Sequence, residues 1–352
     1  MDHSQITQCL AWLAPVADKK MGGLNAVYVS GDSMWATTPM QSAIAQQSCL
    51  PSDVPFAMPL SIATLVKWAD VVDSALEKTR LVIKYVNSDT VKIPLLESGI
   101  TQIELPLAYS PDEEHEWRKF PFTDALAHCA AAAEAEGNLA SVHFTGITMN
   151  ATGKYFSRAR KAVTGVDYGN FVLPVDTANY IAKIGNKDTE IALAGECEWL
   201  DKSGAVIGHG PRSILVRNGE NFVYISQLFT SPPMKWDVLW ENIPCTYNCE
   251  LAEGISHYFM LIKSLSETGV APAAVLTFHD TFVSVEAGDE IKGTVPVEYE
   301  DEKPPYSIKF QLSQWEEARK GALSVSFGDT NTQPMTIHNG SGLDTAIMPM
   351  KM

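Results

Sequence analysis

Apolar residues recur at Ile6, Leu10, Leu13, Ala14 and Val16–Ala17, close to the 3.6-residue period of a helix with one buried face. Ser4 stands where an N-cap is expected. Lys19 and Lys20 fall where cations suit the carbonyl end, and Gly22-Gly23 stops the segment. The period then changes to two: Ala26–Ser30 and Ser33–Thr37 predict strands around Gly31-Asp32, a good hairpin turn. Phe56–Met58 predicts a short strand. Pro59 then opens a second helix through Ile62, Leu65, Val66 and Trp68, with Ser61 as its cap. Leu81–Val86, Val91–Leu95 and Gln102–Leu105 predict further strands, so the order is helix, strands, helix, strands.

The chain then writes this block again. LNAVYVSGDSMWAT (24–37) returns as LASVHFTGITMNAT (139–152), an offset of 115 that holds without a gap at FAMPLSIA (56–63) and FVLPVDTA (171–178). Across 24–63 and 139–178, ten of 40 positions are identical, where ordinary composition gives roughly two or three. A fainter third copy has its hairpin at Val275–Phe278 and Phe282–Glu286, and IKFQLSQWEEA (308–318) echoes the strand-then-helix block. The first helix also returns, at Thr123–Ala135 and at Leu251–Ser266. In the second copy, strands are expected at Glu190–Ala194, Ser213–Arg217 and Phe222–Leu228, and His209-Gly210-Pro211 reads as a turn. Polar connectors at 109–116 and 232–244 separate the copies. The expectation is an α+β chain of three domains, 1–117, 118–244 and 245–352, each with two helices packed on antiparallel sheets.

At 352 residues, 45 % apolar and 19 % charged, the chain is long enough for several cores and is not disordered. It has no signal-like start and no apolar run of the roughly 18–20 residues that span a bilayer, so no membrane association and a cytoplasmic location are expected. Six scattered cysteines suit a reducing compartment. The net charge of −16 argues against a nucleic-acid binder unless the charge is unevenly distributed, acidic outside and basic within.

The tail Met348-Pro349-Met350-Lys351-Met352, together with the threefold repeat and the strand–Pro–helix blocks at 56–59 and 171–174, resembles the bacterial DNA polymerase sliding clamp, the polymerase III β subunit family. The resemblance covers the whole chain. It implies a processivity factor: a homodimeric ring of six domains that encircles double-stranded DNA, takes no cofactor or metal, and tethers DNA polymerase and clamp loader through short peptide motifs. Helices line the hole in such a ring, and Lys19, Lys20, Lys67, Lys183, Lys263, Arg319 and Lys320 lie in or just after the six candidate helices. The other reading of these residues is a set of solvated helix faces. The resemblance also implies an apolar peptide pocket from Leu139, Gly153, Lys154, Tyr155, Phe156, Ile347, Met348, Pro349 and Met350. It implies a dimer interface of Ile103 and Leu105 against Leu261 and Ile262. The chain departs from the family pattern at Gly137-Asn138, where an aromatic pair is usual, and at 152–156, which reads Thr-Gly-Lys-Tyr-Phe.

An enzyme is the competing class. Cys245, Cys249 and His257 fit no common zinc spacing. No nucleophile elbow and no phosphate-binding loop is present, and the adjacent acids Glu113-Glu114 and Glu316-Glu317 point apart. A third class, a clamp-fold scaffold or decoy that binds replication partners without encircling DNA, fits the same repeats.

Overall fold

The computed structural model describes residues 4–17, 25–46, 50, 54–96, 114–154, 158–250, 257–258, 261, 273–287, 291–297, 299, 306–311, 322–339 and 342–349. The first repeat holds α1 (Ser4–Leu13), β1 (Ala26–Ser30), β2 (Ser33–Thr37), β3 (Gln41–Ala45), β4 (Phe56–Pro59), α2 (Leu60–Ala63), β5 (Val71–Glu77), β6 (Arg80–Tyr85) and β7 (Thr90–Pro94). The second holds β8 (Arg118–Lys119), α3 (Thr123–Ala130), β9 (Ser141–Thr145), β10 (Thr148–Thr152), β11 (Arg158–Val163), β12 (Asn170–Pro174), α4 (Val175–Ile184), β13 (Thr189–Leu200), β14 (Val206–Asn218) and β15 (Phe222–Gln227). After α5 (Trp236–Glu241) come β16 (Tyr247–Glu250), β17 (Ala273–Phe278), β18 (Phe282–Ala287), β19 (Ile291–Pro296), β20 (Tyr306–Gln311), β21 (Ala322–Phe327), β22 (Met335–Asn339) and β23 (Leu343–Ile347). The fold is α+β, with antiparallel sheets.

The repeat seen in the sequence is a repeat of hydrogen bonds. Tyr28 pairs with Trp35 and Ala57, and His143 pairs with Asn150 and Val172, each number raised by 115. Even the bond that starts the second helix recurs: Leu60 N–H to Asn25 O, and Val175 N–H to Ala140 O. The third repeat keeps the strand order, β19-β18-β17-β20 against β3-β2-β1-β4. The gapless offset nevertheless hides two compensating length changes. Thr37 pairs with Ser42, five residues on, whereas its counterpart Thr152 pairs with Ala159, seven on. The extra two residues are recovered before β12.

Two compact units result, and their boundaries cut through the second repeat. The first, Met1–Thr123 with Lys183–Thr230, contains the sheet β4-β1-β2-β3-β15-β14-β13-β8 and a separate sheet β5-β6-β7. Ile44, Ala192, Leu215, Val223 and Ile225 form a core cluster there. Trp12 of α1 donates its indole N–H to the Val223 carbonyl (3.3 Å) and packs on Phe222. The second, Asp124–Ala182 with Ser231–Met352, contains β12-β9-β10-β11-β23-β22-β21-β16 and β19-β18-β17-β20. Its core includes Leu276, Phe278, Tyr306, Phe327 and Ile347.

Several expectations are corrected. The second helix of the first repeat is a single turn without a side-chain cap; Ser61 lies inside it. Past it the turn tightens, with the Leu65 N–H donating to the Ile62 carbonyl (3.0 Å), and Trp68 Nε1 takes the Ala63 carbonyl (2.8 Å) that a longer helix would use. Val71–Glu77, unassigned in the sequence, is a largely exposed strand whose side chains carry little alternation. The helices α1 and α3 end earlier than expected, at Leu13 and Ala130. His209-Gly210-Pro211 lies within β14 opposite Glu196–Glu198, not in a turn. Trp199 lies across Gly208 and Gly210 there; a Cβ at Gly210 would come within 2.2 Å of the indole. Among the described residues, no helix is long and apolar enough to cross a membrane.

Candidate functional site

In the second unit Thr152, Ala159 and Ala346 stand side by side on β10, β11 and β23. Each of these strands is antiparallel to its neighbour, so β10 and β23 run the same way and leave the sheet at the same end. Ser141, opposite Thr152 by the β9–β10 register, starts β9 at that end too. Leu139, the Gly153–Lys154 turn and Met348–Pro349 therefore gather at one end of one sheet. Leu139, Met348 and Pro349 are half-buried, Gly153 is buried and Lys154 is exposed. Pro349 has no N–H to offer a sheet neighbour, which suits departure of the chain at this point.

The connector after β15 covers the face carrying Ala159 and Ala346. Trp236, fully buried, packs with those two alanines, and Met234, Leu239, Trp240 and Ile243 lie half-buried around them. Polar bonds fix it: the Met234 N–H donates to His143 Nδ1 (3.2 Å), and Trp240 Nε1 donates to Asn150 Oδ1 (2.9 Å). Lys161 Nζ lies 5.8 Å above the Trp240 ring. The result is an apolar strip with a buried floor and half-exposed walls. Sequence reasoning missed these residues, although Trp236, Leu239, Trp240 and Ile243 recur at three- and four-residue steps.

A buried histidine, His143, and a half-buried one, His128, lie at this sheet. Burial pushes His143 down to about 4. His128 is also lowered to about 4, by burial first and then by the Arg160 guanidinium. Arg160 Nη1 donates to the His128 carbonyl (2.8 Å) at the end of α3, where a cation suits the helix dipole. Ile347, expected in the pocket, is instead wholly buried in the core, so it backs the site and does not line it.

The other expected site residues scatter. Lys183 is exposed in the last turn of α4. Lys67 is exposed and lines a cleft of about 440 Å³ with Asp70, Tyr85, Asn87 and Asp89. Leu261 is 43 % exposed. Lys19, Lys20, Lys263, Arg319, Lys320, Tyr155, Phe156, Met350, Ile103, Leu105 and Ile262 lie outside the described residues. Of the three residues weighed for zinc, Cys249 is buried in the core and Cys245 directs its thiol to the Ile243 carbonyl.

No family model matches the chain, and no curated protein does. Solved structures do. The Helicobacter pylori β clamp bound to a DNA ligase peptide superposes with a TM-score of 0.74 at 16 % identity, over 100 % of this chain and 99 % of that one. The Caulobacter (C. crescentus) β sliding clamp gives 0.76 at 13 % identity over 100 % and 98 %, and the DNA polymerase III β subunit of Pseudomonas aeruginosa gives 0.71 at 14 % over 100 % and 99 %. From end to end, this chain has the fold of the bacterial DNA polymerase III β sliding clamp.

Proposed function

We propose that two copies of this chain close head to tail into a ring around duplex DNA and tether replication proteins to it as a non-enzymatic processivity factor. The observation that carries the reading is an unfinished series of joints. β3 pairs with β15 to join the first repeat to the second, and β11 pairs with β23 to join the second to the third. β7 is the last strand of the meander β5-β6-β7, as β15 and β23 are of β13-β14-β15 and β21-β22-β23, and β19 holds the place in its repeat that β3 and β11 hold in theirs. But β7 and β19 each end a sheet, whereas β15 and β23 are joined to β3 and β11. Among the described residues neither β7 nor β19 has a strand on its outer side. A second copy supplies the missing partner twice, and the circle closes. Tyr258 lies over Gly293 of β19, and the exposed Leu261 belongs to the proposed interface, together with Ile103, Leu105 and Ile262.

In this reading Lys19, Lys20, Lys67, Lys183, Lys263, Arg319 and Lys320 face phosphates, and a sliding ring needs no base contacts. The strip beside Met348 and Pro349, with Tyr155, Phe156 and Met350, takes the apolar side chains of a client peptide, as the H. pylori clamp takes a ligase peptide. The second reading, a scaffold that does not encircle DNA, is favoured by Asp70 and Asp89 beside Lys67, which offset its charge.

One experiment separates them. Linear DNA is circularised by ligation in the presence of the protein and then washed in high salt; native mass spectrometry gives the oligomeric state. Dimers that survive on circles and are released on linearisation support the ring. Monomers, or equal release from circles and linear DNA, leave the scaffold.

A further inference from the structure

We propose that Glu134 is a positioning residue: its carboxylate holds the Gly153–Lys154 backbone after β10 in place beside Leu139, where a client's side chain enters. The inference rests on reading this end of the sheet as a peptide groove.

Glu134 is oddly placed for a carboxylate. The turns after α3 continue its hydrogen bonding to Ala133, so Glu134 follows the carbonyl end of a helix, where cations are favoured and anions are not. What it gains is a bond elsewhere. Its Oε1 accepts the Lys154 N–H at 2.5 Å, while its own N–H donates to the Leu139 carbonyl at 3.1 Å. One residue thus holds Leu139 through its backbone and the Gly153–Lys154 turn through its side chain. Those are two of the groove's walls.

The first repeat shows that this arrangement is not required by the hairpin. Its corresponding turn closes on itself: Thr38 N–H donates to the Gln41 carbonyl (2.8 Å), and the Gln41 N–H returns to Thr38 Oγ1 (3.1 Å). In the second repeat the connection is two residues longer, and its Lys154 N–H finds an acceptor in Glu134.

The test uses the whole protein and two variants, Glu134→Ala and Glu134→Gln. A fluorescein-labelled DNA ligase peptide of H. pylori is titrated by anisotropy, and amide exchange at Lys154 is followed by NMR or mass spectrometry. Glu134→Ala is expected to weaken the peptide about five- to tenfold and to expose the Lys154 amide, because a charge-assisted bond is lost. Glu134→Gln keeps a carbonyl acceptor and should recover most of both, which a merely structural role would not predict. Wild-type affinity in Glu134→Ala, or equal losses in both variants, overturns the positioning role. A wild-type protein that binds no peptide removes the groove reading and the proposal with it, while Lys154 exchange still reports whether the bond exists.

Discussion

Acid should loosen the second unit before it titrates most carboxylates. His128 and His143 are both held near 4, below the ordinary 6.5, and burial leads in each case. The unfolded chain therefore binds protons between pH 6.5 and 4 that the folded chain refuses, so stability falls as pH falls through that window and is fully present above it. For a group displaced this far the loss amounts to about 2 kcal/mol per histidine at pH 5, and about 3 kcal/mol when the window has been crossed. Urea unfolding at pH 7.5, 6.5, 5.5 and 5.0, followed by tryptophan fluorescence, measures it. His128→Asn and His143→Asn remove one titrating group each. Each variant's curve should drop less between pH 7.5 and 5.0 than the wild type's, by about 2 kcal/mol. If the wild-type midpoint is flat across that range, or if the variants fall as steeply as the wild type, the histidines are not buried as described.

Two further outcomes are expected. Deleting Met348–Met352 should weaken the ligase peptide by tenfold or more in anisotropy, since each apolar anchor contributes about 1.5–3 kcal/mol. The melting temperature should hardly move, because β23 already ends at Ile347. Trp236→Ala should cost about 3–5 kcal/mol in urea unfolding, for it empties the floor shared by Ala159 and Ala346; a loss below 1 kcal/mol would mean the connector is not anchored there.

What the sequence made legible was local. Gly31 and Gly146 both take positive φ in their hairpin turns, and the alternation around them named β1, β2, β9 and β10 almost to the residue. The third hairpin followed from the same period. The connector 232–244 was not legible, because its prolines and polar residues suit a linker and the surface that receives Trp236 comes from β11 and β23, far away in sequence. β13 and β14 were underestimated for a related reason. Beyond Gly195 they bury no core residue: Cys197 and Trp199 are only half-buried between the exposed Glu196, Glu198 and Leu200. That Ile347 belongs to the core was not legible, since its pairing with Arg158 joins two repeats.

The matching offset on either side of 152–159 deserves a mechanical explanation, because it concealed the change that matters most for the site. Two residues added after β10 and two removed before β12 leave β9, β10, β12 and α4 in the register of their first-repeat counterparts. The sheet therefore tolerates the longer turn without any shift in its buried pairs, and a one-residue change would have turned every side chain of β11 to the wrong face. An even-numbered extension keeps Ala159 on the side that receives Trp236 and Arg160 on the side that reaches the His128 carbonyl. The length difference between the two hairpins therefore falls in the connection between β10 and β11. It is also where the Lys154 N–H bonds the Glu134 carboxylate.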